Sequence, residues 1–298
     1  VALMAEGPLP PAKLIRRVGW YVSARDLRTD YDARGREQWA LTCSALPDGW
    51  SFEGKRVLDF GCGIGRVLHV APETDPAGEY WGCDIDAPSI DWLSQHLAPP
   101  LHVLRSPELP PIALPDRHFD LIYAFSVFTH LTESWSAWLL ELHRLLKDDG
   151  ILIATVFGPG CSEHMGIAIN EEQVGMNVFA PHTSWDGGGP LIFHSEWWLR
   201  AHWGRAFEIV ELRKGEPNTA PLFGQSMLVM RKRPVTLTVA DLERPEPGEP
   251  REFTALKANV ASLSTELRWH TVYLTSRSWS LTAPLRAAGR LARRIRGR

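Results

Sequence analysis

Asp59, Gly61, Gly63 and Gly65 occupy alternate positions of 57-VLDFGCGIGRVLHV-70. Glycines at that spacing let a chain turn sharply at a strand end and let a ligand approach the bare backbone. A helix after such a turn offers unpaired N–H groups and the positive end of its dipole. A pyrophosphate site would favour G-x-G-x-x-G, but position 66 is arginine. Asp59 would also repel a pyrophosphate, whereas it would attract an ammonium group. A second acid, Asp84, follows Gly65 by 19 residues and closes the apolar run 79-EYWGCDID-86. A carboxylate there can accept hydrogen bonds from both hydroxyls of a ribose. Together the two acids call for a ligand with an ammonium at one end and a ribose at the other.

The surrounding segments read as the frame for these residues. Short apolar runs at 55–62, 79–86, 101–106, 118–128 and 151–157 read as strands. Segments 31–46, 65–73, 88–97 and 133–147 read as helices between or before them, the last with Trp138, Leu139, Leu142, Leu145 and Leu146 on one face. Alternation of this kind implies parallel strands joined by crossover helices. The runs are apolar throughout, as expected of strands covered on both faces. Residues 206–212 and 226–232 read as a final pair closing the sheet. The expected fold is α/β: a Rossmann-like, seven-stranded, mostly parallel sheet with helices on both faces, plus a C-terminal helical extension. The expected division is an irregular segment 1–24, a catalytic domain 25–233, a Pro/Glu-rich linker 234–252 and a helical, Arg-rich appendix 253–298.

A ligand that joins an amino-acid ammonium to a ribose is S-adenosylmethionine. The segments VLDFGCGIGR, YWGCDID, 115-PDRHFDLIYAFSVFTHL-131 and 141-ELHRLLKDDGILIATV-156 resemble, in order and spacing, the class I S-adenosylmethionine-dependent methyltransferases. The resemblance covers roughly residues 30–160 and is specific for cofactor and fold, not for the acceptor. It implies that Asp59, Gly61, Gly63 and Gly65 line the methionine part. It places Asp84 and Ile85 at the ribose and adenine, and Ser106 near the adenine amine, where the family usually has Asn or Asp. Phe125 and Ser126 would flank the sulfonium. Tyr31, Arg34 and Arg66 are candidate carboxylate contacts; an ordinary helix-surface role is the other reading of Arg66.

Methyl transfer to a hydroxyl needs an aligned acceptor and a proton acceptor. His130 follows the fourth strand directly and is the first candidate base; a hydrogen-bonding role at a helix start is the alternative. His164, His182, Asp186 and His194 lie in the insertion after the fifth strand, with Trp185, Trp197, Trp198 and the run Gly187–Gly189. Those aromatics suit either sugar stacking or plain helix core. His182 and Asp186 could share a divalent cation, but two ligands do not make a site, and no metal is assigned.

Residues 253–274 place Phe253, Leu256, Val260, Leu263, Leu267 and Leu274 at steps of three, four and seven. That is one apolar seam on a helix and favours a homodimer. The segment 276-SRSWSLTAPLRAAGR-290 resembles tails of bacterial surface-glycan glycosyltransferases and associated methyltransferases. That resemblance implies a saccharide or glycolipid acceptor. The chain's end holds seven arginines and no acid from 277 onward, which suits contact with an anionic membrane face or a solvated tail. The whole chain carries a net charge of −3 and lacks the basicity of a nucleic-acid binder. Cys43, Cys62, Cys83 and Cys161 form no CxxC pair and read as small buried hydrophobes. No run of 18 apolar residues suggests a membrane span. The cytoplasm, with peripheral contact at the inner membrane face, is the expected location. The function read from the sequence is O-methylation of a saccharide hydroxyl. The alternatives are a small-molecule or lipid O- or N-methyltransferase and a non-catalytic partner of glycosyltransferases.

Overall fold

The computed structural model describes residues 8–17, 27–167, 169–181, 183–184 and 189–275. The expectations for His182, Asp186 and the tail from 276 onward fall outside these residues.

Five parallel strands form the centre: β1 (Arg56–Phe60), β2 (Glu79–Asp84), β3 (His102–Arg105), β4 (Phe119–Ala124) and β5 (Leu146–Phe157). They lie in the order β3-β2-β1-β4-β5. The later strands are β6 (Met176–Phe179), β7 (Leu191–His194), β8 (Phe207–Arg213) and β9 (Gln225–Lys232). Strand β9 runs antiparallel to β5, and β8 antiparallel to β9. The seven expected strands are therefore present with the expected closing pair. The short antiparallel pair β6–β7 is an addition that joins the sheet at Phe157 and Phe193.

The two sheet faces follow the period of two. Leu58, Phe60, Ile122, Ala124, Leu152, Ala154, Leu228 and Met230 bury against the helices α5 (Trp135–Leu145) and α7 (Glu196–Ala206). Val57, Leu121, Tyr123, Ile151, Ile153, Met227 and Val229 bury on the opposite face, with α2 (Leu27–Cys43) and α4 (Ala87–His96). Asp59 shares the parity of Val57 and so points towards Tyr123 and α2. Trp197 and Trp198 are core residues of α7, buried with Trp135 and Trp203.

Two expectations need correction. Residues 65–73 do not form one helix. The chain runs through turns, and only α3 (Ala71–Thr74) is helical. Pro72 lies in the first turn of α3; it lacks an N–H and would clash with the carbonyl four residues earlier in a longer helix. Near the N-terminus, 12–15 form α1 (Ala12–Ile15) within the segment expected to be irregular.

The Pro/Glu-rich segment is likewise no free linker. It holds α8 (Val239–Glu243), opened by a capping box between Thr238 and Asp241. Leu242 is completely buried. Arg205 Nη1 donates to the carbonyls of Asp241, Leu242 and Arg244 at 2.7, 3.0 and 2.6 Å. His202 contacts the Leu242 carbonyl and the Glu252 carboxylate, and Ser136 donates to Glu243 at 2.6 Å. A solvated linker would leave Leu242→Ala nearly silent. The packed strap predicts a loss of about 2–4 kcal/mol, read as a lower denaturation midpoint at unchanged slope.

Candidate active site

The glycine turn sits where β1 ends. Gly61, Gly63 and Gly65 have φ of +78°, +53° and +78°, values that favour glycine. A side chain at Gly61 would collide with Val127, and one at Gly65 with Leu93. The turn is therefore held close beneath the β4 tip and against α4. The Gly61 and Cys62 amides both donate to the Cys83 carbonyl, at 2.8 and 3.0 Å, joining the β1 and β2 ends.

Asp84 binds this turn from the β2 tip. Its Oδ2 accepts from the Gly63 amide at 2.7 Å and its Oδ1 from the Asp86 amide at 2.8 Å. Burial raises its carboxyl pKa, while these amide bonds pull it back. Each oxygen keeps further lone-pair capacity for a hydroxyl donor. Ser106 is buried beside it, its amide donating to the Asp84 carbonyl at 2.9 Å.

Asp59 is 4 % exposed. Burial pushes its carboxyl up to about 8, against the pull of the neighbouring Tyr123 hydroxyl. Asp84 adds to the rise and Arg66 opposes it. A neutral acid at pH 7 that ionises when a cation arrives is the electrostatic property an ammonium site requires.

Three other expected contacts are engaged with protein groups. The Tyr31 hydroxyl donates to the Ile64 carbonyl at 2.9 Å, bracing the glycine turn from α2. Arg34 pairs with Asp30 at 2.8 Å and lies over the Phe223 ring at 4.6 Å. Arg66 donates to Gln38 at 3.1 Å. Gly35 lets α2 approach this turn, since a side chain there would overlap the Arg66 carbonyl. Ile85 is half-buried at the β2 end.

Sequence reading missed two groups. Asp86 is buried and bonded to Arg17 at 2.7 Å and Ser89 at 2.5 Å. Burial would raise its pKa, but Arg17 and Ser89 hold it below the usual carboxylate range. It ties the α1 segment to the β2 tip, and the second acid of the DID run was its only sequence signal. Gln225 opens β9 and had no signal in spacing or composition. Its Nε2 donates to Ser126 Oγ at 2.7 Å, and its Oε1 accepts from Thr155 Oγ1 at 2.7 Å. The Ser126 amide donates to the same Thr155 oxygen at 2.8 Å. Ser126 has φ +59°, a conformation that costs a non-glycine residue roughly 1–3 kcal/mol. The Thr155–Gln225 pair holds it there at the β4 tip, 9 % exposed Phe125 preceding it.

His130 lies just beyond. Its Nδ1 is 2.7 Å from the Pro190 carbonyl, and its ring meets Phe157 edge-on at the β5 tip. Since a carbonyl only accepts, Nδ1 carries the proton and Nε2 the lone pair. Burial lowers the imidazole pKa, partly offset by that hydrogen bond, which favours the neutral ring. His194 does not reach this region. It is buried between Trp198 and Trp203, where burial lowers its pKa to about 3. His164 pairs with Asn218 at 2.6 Å. Among the described residues no cluster of three His, Cys, Asp or Glu side chains could hold a metal.

Residues 58–152 match the family model described as a methyltransferase domain. The chain is similar to a structure of an S-adenosylmethionine-dependent methyltransferase from Mesorhizobium loti. That match has a TM-score of 0.52 and 17% identity and covers 65% of this chain and 97% of the other. A curated relative, the fatty-acid O-methyltransferase of Mycolicibacterium smegmatis, is 28% identical over 104 residues, covering 35% of this chain and 37% of that protein. The mitochondrial arginine-hydroxylase NDUFAF5 of Rattus norvegicus is 29% identical over 134 residues, covering 43% of this chain and 36% of that protein. The chain thus spans little more than a third of the length of these curated relatives. Residues 58–152 thus carry a match to a methyltransferase domain, and the chain shares the fold of an S-adenosylmethionine-dependent methyltransferase.

Two results are expected at this site. Asp84→Ala should weaken binding of S-adenosylhomocysteine roughly ten- to several-hundred-fold by calorimetry; unchanged affinity would contradict the ribose assignment. Asp59→Asn should separate stability from binding. The folded carboxyl titrates near 8, above its unfolded value, so its stabilising effect is complete at acid pH and lost as pH rises through 8. The Asn variant of the ligand-free protein should match wild type near pH 4 and exceed it increasingly up to pH 8–9. A constant difference across that range would contradict the buried neutral acid.

Proposed function

We propose that the chain transfers a methyl group from S-adenosylmethionine to a hydroxyl oxygen, with His130 as the proton acceptor. The observation that carries this reading is the Nδ1 bond from His130 to the Pro190 carbonyl at 2.7 Å. It fixes the tautomer and leaves Nε2 as a base beside the β4 and β5 tips. In the proposal Asp59 takes the ammonium and Asp84 the ribose hydroxyls. The glycine turn lies along the methionine chain, and Phe125 and Ser126 flank the sulfonium. S-adenosylmethionine supplies an electrophilic methyl group. As the C–S bond breaks, its electron pair stays on sulfur; the acceptor oxygen forms the new C–O bond and its proton passes to His130 Nε2. Exclusion of water by the surrounding apolar walls would strengthen these charge effects.

The acceptor we propose is a saccharide hydroxyl in glycan or glycolipid assembly at the inner face of a membrane. Two points support it: a sugar hydroxyl is a weak nucleophile that needs such a base, and segment 276–290 resembles tails of glycan-assembly enzymes. A second reading has its own support in the fatty-acid O-methyltransferase relative. A carboxylate acceptor is already ionised and needs no base.

The two readings separate on one variant. Methyl-labelled cofactor is offered with saccharides, glycolipid extracts and fatty acids. A saccharide acceptor predicts label in sugar and a fall in kcat of roughly 10²–10⁴-fold in His130→Ala, with cofactor affinity unchanged. Label in fatty acid, undiminished by that variant, would establish the second reading and remove His130 from the chemistry.

A further inference from the structure

We propose that Gln225 is a positioning residue for the sulfonium of S-adenosylmethionine, acting through Ser126, and that it favours this cation over the demethylated product. The proposal rests on the reading above that the β4 tip flanks the sulfonium. The observation is a closed ring of hydrogen bonds. The Ser126 amide donates to Thr155 Oγ1 at 2.8 Å, Thr155 Oγ1 donates to Gln225 Oε1 at 2.7 Å, and Gln225 Nε2 donates back to Ser126 Oγ at 2.7 Å. All three bonds run in one direction, so each polarises the next. No member of the ring is ionisable, and its burial carries no charge penalty. Thr155 is completely buried, the other two half-buried.

The ring lies on the sheet face that carries Asp59. Thr155 shares the parity of Ile151 and Ile153, which bury on that face. Gln225 is the first residue of an antiparallel strand, so it stands opposite Phe157, the last residue of β5. Three pieces of chain, 29 to 99 residues apart in sequence, therefore meet beside the β4 tip.

The ring does two things to Ser126. It holds the backbone at φ +59°, where glycine would sit without strain and serine does not. It also sets the hydroxyl. A carbonyl oxygen has two lone pairs, so Gln225 Oε1 can serve Thr155 and also accept the Ser126 proton, 3.1 Å away. Gln225 Nε2 takes one lone pair of Ser126 Oγ. What the hydroxyl has left is its second lone pair. A lone pair attracts a positive sulfonium and offers a neutral thioether nothing. A Gln225 that merely held β9 in place would treat the two ligands alike.

The test is calorimetric titration of the full chain with S-adenosylmethionine and, separately, with S-adenosylhomocysteine. Gln225→Leu should weaken S-adenosylmethionine roughly ten- to a hundredfold and S-adenosylhomocysteine less than about threefold. Thr155→Val removes the acceptor of the Ser126 amide. It should shift the ratio of the two affinities the same way, and it carries the test if the first variant folds poorly. Ser126→Gly has no hydroxyl and needs no support at positive φ, so adding Gln225→Leu to it should leave the ratio unchanged. Equal weakening of both ligands, a ratio unmoved by either single variant, or a further shift in the Ser126→Gly background would each overturn the proposal. Binding of neither ligand to the unaltered chain would instead overturn the cofactor reading beneath it.

Discussion

The Asp84 carboxylate is the joint on which the glycine-turn end of the sheet depends. One oxygen holds the Gly63 amide and the other the Asp86 amide. A single side chain therefore fixes the turn after β1, the end of β2 and the entry to α4. The bonds are largely shielded from water, which makes each worth more than the same bond at the surface. The rest of the rim is secured through these points. Asp86 holds Arg17 and the α1 segment, Tyr31 ties α2 to Ile64, and Gly35 lets α2 settle against Arg66.

The same rim stores unfavourable charge. The nearby Asp84 raises the proton affinity of Asp59, and burial raises that of both carboxyl groups. A core that keeps an uncompensated acid gives up stability. A cationic ligand would recover that loss on binding, so the groups that destabilise the ligand-free chain are those that would favour its cofactor. Ser126 follows a similar logic at the β4 tip, held at positive φ by Thr155 and Gln225.

How much of this was legible in the sequence depended on the range of the interactions. Strand β1, the glycine turn and β2 announce themselves because glycine permissiveness and buried apolar runs are local properties. The β4 strand, with all six residues buried, carries the same signal. Strands β6 and β7 span four residues each, too few for a period to show. The α8 strap was hidden by composition: proline and glutamate suggested solvation, while its packing depends on Arg205 and His202, more than thirty residues away. Gln225 was invisible for the same reason, since its partners Ser126 and Thr155 are 99 and 70 residues distant. The apolar spacing along α9 (Arg251–Thr275) was readable. Only the fold shows that Phe253, Leu256, Val260 and Leu267 are exposed there, and Trp269, Val272 and Tyr273 with them.

The central claim is that a buried, neutral Asp59 becomes the counter-ion of the cofactor ammonium. It is tested most directly by calorimetric titration of S-adenosylhomocysteine at pH 7 in buffers of different ionisation enthalpy. An acid that titrates near 8 when free and is ionised in the complex predicts release of about one proton per ligand bound, absent in Asp59→Asn. Binding with no proton released, or release that persists in the variant, would contradict the account.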